Sequence, residues 1–364
     1  MSFPVLPLNV AVIGAGIAGA ACAQALSRAG HAVHVVDKSR GPGGRLATRR
    51  LEWLDRDGRP RVTRFDHGAA GFMAQTAGFR QFVAKALSDG VLVEWMPAAA
   101  PAGLQPDAAL PQYLPVPDMP ALCRSMLGDM GATWSCAVDR LHKGPRGWQV
   151  AAGGDRLARH FDVVVLAMPP AQVAPLLAPH RRDWAQRAAL ALMQPCWTLI
   201  GVADAPEQAL GWDIARPEQG PLAWVARNEA RPGREAMPGE VHWVLHARAS
   251  WSRQHLEQPA PWVQARLQGA LAEWLGRPVE WRHAVAHRWR YAMPHAPSPA
   301  PAGQCWWDAT QGLGVCGDFL GGTGVEGAWL SARALASALL QDPPIAAAAS
   351  AASLADHPAL HITA

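Results

Sequence analysis

The apolar positions at the start of the chain follow the order strand, helix, strand. Asn9–Ile13 is a short apolar run typical of a buried strand. A glycine-containing turn follows, then a small-residue helix that runs to about Ala29, with Gly30 as a left-handed cap. A second apolar run, Ala32–Val36, indicates another strand. The chain is therefore predicted to open with a βαβ unit.

Further along the chain the pattern changes to longer alternating stretches. Strands are predicted at Trp197–Val202, Leu222–Ala226 and Val241–His246, and an amphipathic helix at Pro261–Leu275. We expect these elements to form a mostly antiparallel sheet with helices on one side. Near the other end, Leu313–Cys316 is predicted to be a strand and about Val325 to Leu340 a helix.

The turn after the first strand carries the glycine pattern of a dinucleotide site. Gly14 allows a tight turn, Gly16 lets the backbone approach a pyrophosphate, and Gly19 lets the helix pack closely on the strand. The helix N-terminus presents free N–H groups to the phosphates. Asp37 comes 18 residues after Gly19, where an acid can bind ribose hydroxyls. The order of elements and residues predicts a bound dinucleotide.

Two more glycine-marked segments favour FAD over NAD. Gly41-Pro42-Gly43-Gly44-Arg45 opens the backbone after the second strand and supplies an arginine able to pair with a pyrophosphate. At the other end, Gly317-Asp318 and a glycine-rich loop precede the last predicted helix. A flavin lies far from the adenine and needs its own donors. We expect Asp318 to bind a ribityl hydroxyl and this helix N-terminus to face the flavin pyrimidine carbonyl.

At these segments the chain resembles the FAD oxidoreductases that include amine oxidases, carotenoid desaturases and renalase. Further matches are Phe65-Asp66-His67-Gly68-Ala69, the expected strand Cys136–Val138, and Val163–Pro169. The resemblance implies a Rossmann-like FAD-binding domain (an α/β fold) joined to an α+β substrate domain, with non-covalent FAD. The residues expected to bind it are Gly14, Gly16, Ile17, Ala18, Gly19, Asp37, Lys38, Gly44, Arg45, Gly68, Ala69, Val138, Met168, Gly317, Asp318, Val325, Glu326 and Ala328.

Within that group, the second half of the chain is most similar to renalase and its bacterial relatives. The matching stretches are Pro221–Asn228, Val244–Ala247, Trp251-Ser252 and His287–Ala292. The resemblance implies oxidation of a dihydronicotinamide nucleotide isomer, with hydride passing to flavin N5 and O2 as the acceptor that yields H2O2. It implies that Trp289 forms a wall of the pocket for the substrate ring and that His246 and Tyr291 are polar contacts near its carboxamide. It also implies that Arg290 or Arg227 binds a substrate phosphate.

Two departures keep other functions open. Ala70-Gly71 stands where these relatives have bulkier residues, and the run Phe319–Thr323 is atypical. A flavin amine oxidase or desaturase is the first alternative, although no lysine follows Val150, and a non-catalytic flavin-binding protein is the second.

Composition adds few constraints on partners. The 364 residues are 50% hydrophobic and 17% charged, with a formal net charge of +4. No dense Lys/Arg block favours nucleic acid, and no apolar run is long enough to span a membrane. Six cysteines without a CxxC pair predict reduced thiols in a cytoplasmic protein, and the histidines show no metal-ligand spacing.

The FAD domain is predicted to be assembled from residues 1–72, 130–170 and 305–342. The substrate domain is predicted to comprise 73–129 and 171–304. The Ala-rich residues 343–364 are expected to form a tail or a short added helix after Pro343-Pro344.

Overall fold

A computed structural model describes residues 7–101, 111–295, 304–322 and 324–344. The predicted α/β class is confirmed. The helices are α1 (Ile17–Arg28), α2 (Ala77–Ser88), α3 (Ala121–Leu127), α4 (Pro170–Leu177), α5 (Arg182–Leu190), α6 (Ala249–Gln254), α7 (Ala260–Leu275), α8 (Asp318–Gly321) and α9 (Gly324–Gln341). The strands are β1 (Asn9–Ile13), β2 (Ala32–Val36), β3 (Thr48–Leu54), β4 (Pro60–Asp66), β5 (Leu92–Trp95), β6 (Gln112–Pro115), β7 (Gly131–Thr133), β8 (Arg140–Gly144), β9 (Gly147–Ala152), β10 (Asp155–Arg156), β11 (Val163–Leu166), β12 (Met193–Asp204), β13 (Ile214–Ala215), β14 (Leu222–Arg227), β15 (Glu240–Ala247), β16 (Trp281–Pro294), β17 (Trp306–Asp308) and β18 (Leu313–Val315).

The chain divides into two compact units. The first unit comprises residues 1–42, 126–191 and 297–364, and the second comprises 43–125 and 192–296. The division differs from the predicted domains for residues 43–72, 126–129, 171–191 and 297–304. Within the second unit, the Asn228 side chain bonds to the Asp66 N–H and the Arg64 carbonyl, which ties the β3–β4 hairpin to that unit. The assignment of one domain to FAD and the other to substrate stays a prediction.

The first unit contains a six-stranded sheet with the order β17-β18-β11-β1-β2-β7. All neighbouring pairs are parallel except β17–β18. Every residue of β11 is buried, as expected for a strand covered on both faces. Helices α4 and α5, which the sequence analysis did not predict, follow β11 within this unit.

One predicted strand of this unit is wrong. Cys136–Val138 is irregular backbone, because Ser135 adopts a left-handed conformation with φ 54° and ends the ladder that β7 makes with β2. The Cys136 N–H then donates to the Asp37 carbonyl. The segment therefore lies beside the loop after β2 without pairing as a strand.

The second unit contains the expected antiparallel sheet, with the order β13-β14-β15-β12-β16. The predicted strands fall within β12, β14 and β15, and the predicted amphipathic helix is α7. One face of the sheet, which includes Leu199 and Leu245, packs in a core with Val263, Leu267 and Leu271 of α7. Ala265 lies on the exposed side of the same helix.

Of the predicted tail, the structure describes only Pro343 and Pro344, and the rest lies outside the described residues. In the ranges that the structure covers, no helix combines the length and the apolar character needed to span a bilayer.

Candidate functional site

In the first unit, the turn between β1 and α1 is a cradle built from backbone. Gly14 has φ +107°, and a Cβ there would lie 2.4 Å from the Ala167 carbonyl oxygen. A Cβ on Gly19 would lie 1.7 Å from the Gly14 oxygen, so only glycine allows α1 to start this close to the turn. Gly16 caps α1 without a side-chain hydrogen bond, which leaves the first-turn N–H groups near Ile17 and Ala18 for a ligand.

The cradle lies at the carboxyl edge of the parallel sheet. Gly14 follows β1, Asp37 follows β2, Met168 follows β11 and Gly317 follows β18. These four strands are neighbours, in the order β18-β11-β1-β2. The Met168 side chain lies 3.2 Å from the Cβ position of Gly14. Open α/β sheets bind nucleotides at this edge, so these predicted residues of the first unit are brought together.

Asp37 shapes the cradle. Its Oδ2 accepts the Ala15 N–H at 2.6 Å, and its Oδ1 accepts the Ser39 N–H at 2.7 Å. The carboxylate therefore fixes the loop and places a negative charge beside it. Lys38 is exposed and Val138 is half-buried in this unit.

The glycine-rich segment near the end of the chain is explained by a close crossing of α8 and α9. A Cβ on Gly321 would lie 2.1 Å from the Gly327 oxygen, and one on Gly327 would lie 1.8 Å from the Gly322 oxygen. Asp318 is buried in the first turn of α8. Val325 and Ala328 are buried in α9, whereas Glu326 occupies its first turn and places negative charge at that helix end.

The remaining predicted cofactor residues lie in the second unit, where two backbone segments pack closely against each other. The Ala69 N–H donates to the Arg45 carbonyl at 2.9 Å, and a Cβ on Gly68 would lie 2.1 Å from the same oxygen. Gly44 is left-handed with φ +57°. Arg45 donates from Nη1 to the Ala292 carbonyl at 2.9 Å.

The sheet face of the second unit that points away from α7 carries histidines. The registers align His246 of β15 with Thr198 of β12, and Thr198 with His287 of β16. The His67 ring lies 4.9 Å from His287 and 5.0 Å from Trp289, centroid to centroid. Trp289 Nε1 donates to the His67 carbonyl at 3.0 Å. We call His67, His246, His287 and Trp289 the histidine cluster.

The three histidines of the cluster are neutral near pH 7. Burial lowers the pKa of His67 to about 3, assisted by the neighbouring His287. Burial lowers the pKa of His246 to about 4, assisted by the positive charge of Arg231, and that of His287 to about 4, assisted by Arg49. The cluster is therefore an aromatic, uncharged surface with ring nitrogens able to donate or accept hydrogen bonds.

Two predicted substrate residues lie elsewhere. Strand alternation places Arg290 on the face opposite Trp289, where its guanidinium forms two hydrogen bonds to Glu257 at 2.6 and 3.0 Å. Arg227 aligns with Trp243 on the α7 side and donates to Glu229 and to the Leu210 and Trp212 carbonyls. Both guanidinium groups thus have protein partners, and the expectation that Arg290 or Arg227 meets a substrate phosphate stays a prediction. Tyr291 shares the face of Trp289.

Residues 12–86 match the family described as the NAD(P)-binding Rossmann-like domain, which agrees with the cradle geometry. Among solved structures, the fold is similar to cyclohexylamine oxidase from Brevibacterium oxydans, with TM-score 0.63 and 13% identity over 92% of this chain and 99% of that one. A triple variant of putrescine oxidase is similar at TM-score 0.60 and 15% identity, over 92% and 99% of the two chains. At these identities the likeness shows a shared fold.

Curated relatives match along the sequence as well. The chain is 26% identical to a tRNA 5-methylaminomethyl-2-thiouridine biosynthesis bifunctional protein of Verminephrobacter eiseniae, over 93% of this chain and 62% of that protein. The protein of the same name from Magnetococcus marinus is 29% identical over 47% of this chain and 31% of its own length. The chain thus spans less than two thirds of the length of these relatives.

Sequence reasoning missed His67 and His287 as cluster members. Period-two alternation from His287 to Trp289 and Tyr291 was a usable signal, because it places all three on one strand face. His67 reaches them from the loop after β4, and no local pattern reports that contact. Over the part of the chain that the structure describes, no three His, Cys, Asp or Glu side chains are arranged to hold a metal ion.

Proposed function

We propose that the protein is an FAD-dependent oxidoreductase that removes a hydride from a small molecule bound at the histidine cluster. The observation that carries the cofactor assignment is the backbone cradle at the carboxyl edge of β1, β2, β11 and β18. Gly14 and Gly19 leave no room for a Cβ, and this close packing presents the first-turn N–H groups of α1 to a pyrophosphate. The resemblance of the glycine-rich segments to FAD oxidoreductases, and a fold shared with two amine oxidases, support FAD over NAD.

The cradle residues have separable tasks. First-turn N–H groups of α1 would bind phosphate oxygens, and the fixed carboxylate of Asp37 would accept ribose hydroxyls. Asp318 would hold a ribityl hydroxyl. When bound, FAD supplies the two-electron acceptor that the side chains of this protein lack.

Our finer proposal is a renalase-like substrate, a dihydronicotinamide nucleotide isomer. Trp289 would stack on the ring, and the neutral His246 would hydrogen-bond the carboxamide. Loss of hydride from a dihydronicotinamide leaves an aromatic cation, so no strong base is needed. Three uncharged histidines that hold a ring in place suit such a reaction.

An amine is the second candidate. The two oxidases that share the fold are named for amine substrates. The name of the curated relatives also contains an amine, the methylaminomethyl group of a modified uridine. A neutral imidazole can accept the N–H of an uncharged amine.

Anaerobic mixing tests both candidates. The purified, FAD-loaded protein is mixed with 2-, 4- and 6-dihydro isomers of NADH, and separately with primary and secondary amines, while the visible flavin absorbance is recorded. Bleaching by an isomer other than ordinary NADH supports the finer proposal, and bleaching by amines alone replaces it with the second. A protein that binds no FAD refutes the cofactor assignment, and FAD that none of these compounds reduces refutes the proposed activity.

A further inference from the structure

Arg231 is a fully buried arginine with half of its guanidinium unpartnered. Its side chain has 0% exposure. Nη1 lies 3.5 Å from Asp66 Oδ2, and the guanidinium carbon lies 5.6 Å from the Trp95 ring centroid. Nε and Nη2 have no hydrogen-bond partner among the described residues. A buried donor without an acceptor costs about 1–3 kcal/mol, and more when it is charged, so this arrangement needs a reason.

The two unpartnered nitrogens form one edge of the guanidinium. Nε–H and Nη2–H point in parallel, which is the geometry that binds both oxygens of a carboxylate or phosphate. Nη1 is directed at Asp66 and one face is covered by Trp95. These contacts therefore hold the side chain in place and leave free the edge that is suited to an oxyanion.

The charge balance around Asp66 also calls for an anion. Arg234 contacts the same oxygen, Asp66 Oδ2, more closely, with Nε at 2.8 Å and Nη2 at 2.7 Å. Thr48 donates to the other oxygen, Oδ1, at 2.6 Å. One carboxylate thus faces two buried guanidinium groups, which leaves one positive charge uncompensated. A buried charge of this kind is costly unless it is paired.

Arg231 lies near the histidine cluster, because its ion-pair partner Asp66 directly precedes His67 of the cluster in the chain. Its charge contributes to the lowered pKa of His246, after burial. Within the described part of the chain, His246 Nε2 and Trp224 Nε1 are also buried without a hydrogen-bond partner, and Trp224 aligns with His246 in the β14–β15 ladder. A cleft of about 110 Å³ borders Asp66 and Arg234 of the same ion-pair group.

We propose that the Nε/Nη2 edge of Arg231 binds an oxyanion of the substrate and thereby selects anionic substrates. This inference rests on the proposed function for the substrate, because the oxyanion would belong to the molecule that the cluster binds. A phosphate of a dihydronicotinamide nucleotide and a carboxylate of an amino acid share the required chemistry. Arg227 and Arg290, whose guanidinium groups are engaged elsewhere, are not needed for it.

Binding is tested first without catalysis. The melting temperature of the FAD-loaded protein is measured in inorganic phosphate, in acetate and in chloride at equal ionic strength. Phosphate or acetate is expected to raise it by about 2–3 °C over chloride. Arg231→Lys keeps the charge and removes the two-nitrogen edge, so the increment is expected to vanish. Arg234→Lys, the matched control on the same carboxylate, is expected to keep it.

The outcomes separate this inference from the proposed function, since the melting temperature does not depend on flavin reduction. No increment in the wild-type protein means that the edge binds no oxyanion, and this overturns the inference. An increment that survives Arg231→Lys, or that both lysine variants lose, also overturns it. If Arg231→Lys does not fold, Trp95→Leu is measured instead, because it removes the ring that covers one face of the Arg231 guanidinium. It is expected to reduce the increment, and an unchanged increment then refutes the inference.

The substrate arms then distinguish the source of the oxyanion. Flavin reduction is compared for 2-dihydronicotinamide mononucleotide against its riboside, and for N-methylglycine against dimethylamine. Arg231→Lys is expected to raise KM at least about tenfold for the oxyanion-bearing member of the pair that reacts, and to leave the other unchanged. Equal effects on both members would show that Arg231 acts on folding alone.

Discussion

The two units build their candidate sites in opposite ways. In the first unit, the cradle at Gly14, Gly16 and Gly19 is built from backbone, and Gly14 and Gly19 leave no room for a Cβ. In the second, side chains from a loop and from two strands make the histidine cluster, and the backbone serves as scaffold. Backbone sites are sensitive to added atoms, whereas the cluster is sensitive to charge. The two units should therefore respond to different perturbations.

The largest expected effect is that of one methyl group in the cradle. Gly19→Ala places a Cβ where the Gly14 oxygen lies 1.7 Å away, and neither backbone segment can move without breaking the β1–α1 turn. We expect a loss of more than about 4 kcal/mol in the free energy of unfolding, with loss of FAD from whatever protein folds. Urea denaturation and the flavin absorbance of the purified protein measure both.

Gly269→Ala is the matched control, because a Cβ at that position in α7 meets nothing within 4 Å. It is expected to stabilise by about 0.5–1 kcal/mol. A yellow, stable Gly19→Ala protein would contradict the interpretation of the cradle.

The difference between the units also explains which site residues could be predicted from the sequence and which could not. The cradle is contiguous, so its glycines, the helix and Asp37 were predicted in order and at the right positions. The Cys136–Val138 strand was wrong because a single left-handed residue, Ser135, decides the backbone there and no pattern announces it. Trp289 and His246 were named through a resemblance, whereas His67 and Arg231 come from loops whose neighbours are set by tertiary packing.

The next effect is a pH dependence that the histidine cluster gives to stability. The folded pKa values of His67, His246 and His287 are about 3, 4 and 4, below the ordinary value of 6.5. At a pH between the folded and the ordinary pKa values, these histidines bind protons in the unfolded chain but not in the folded protein. The free energy of unfolding is therefore expected to be highest above pH 6.5 and to fall as the pH drops toward 4.

His287→Gln removes one of these groups. Because the ring is partly exposed, we expect the loss of stability between pH 7 and pH 5 to shrink by about 1 kcal/mol, with urea denaturation at each pH as the measurement. An unchanged pH dependence in this variant would mean that His287 is not held neutral by the fold.

A smaller effect is expected at Trp289. Trp289→Phe keeps an aromatic ring but removes the Nε1 donor to the His67 carbonyl, which is worth about 1 kcal/mol in stability. The smaller ring also covers less of a flat substrate, so KM should rise while FAD content stays the same. Steady-state kinetics with a reducing substrate found by the anaerobic panel measures this. Loss of FAD with unchanged KM would place Trp289 at the cofactor instead.

The smallest effect is expected one residue further along the same strand. Arg290 is on the opposite face, and its pair with Glu257 joins side chains that are 40% and 68% exposed. Solvent and salt screen such pairs, so Arg290→Gln should change stability less than Trp289→Phe does, and not at all in high salt. KM should stay at its wild-type value, since the side chain lies away from the histidine cluster. A several-fold rise in KM for a phosphate-bearing substrate, without a change for its neutral counterpart, would return Arg290 to the substrate site and remove the need for Arg231.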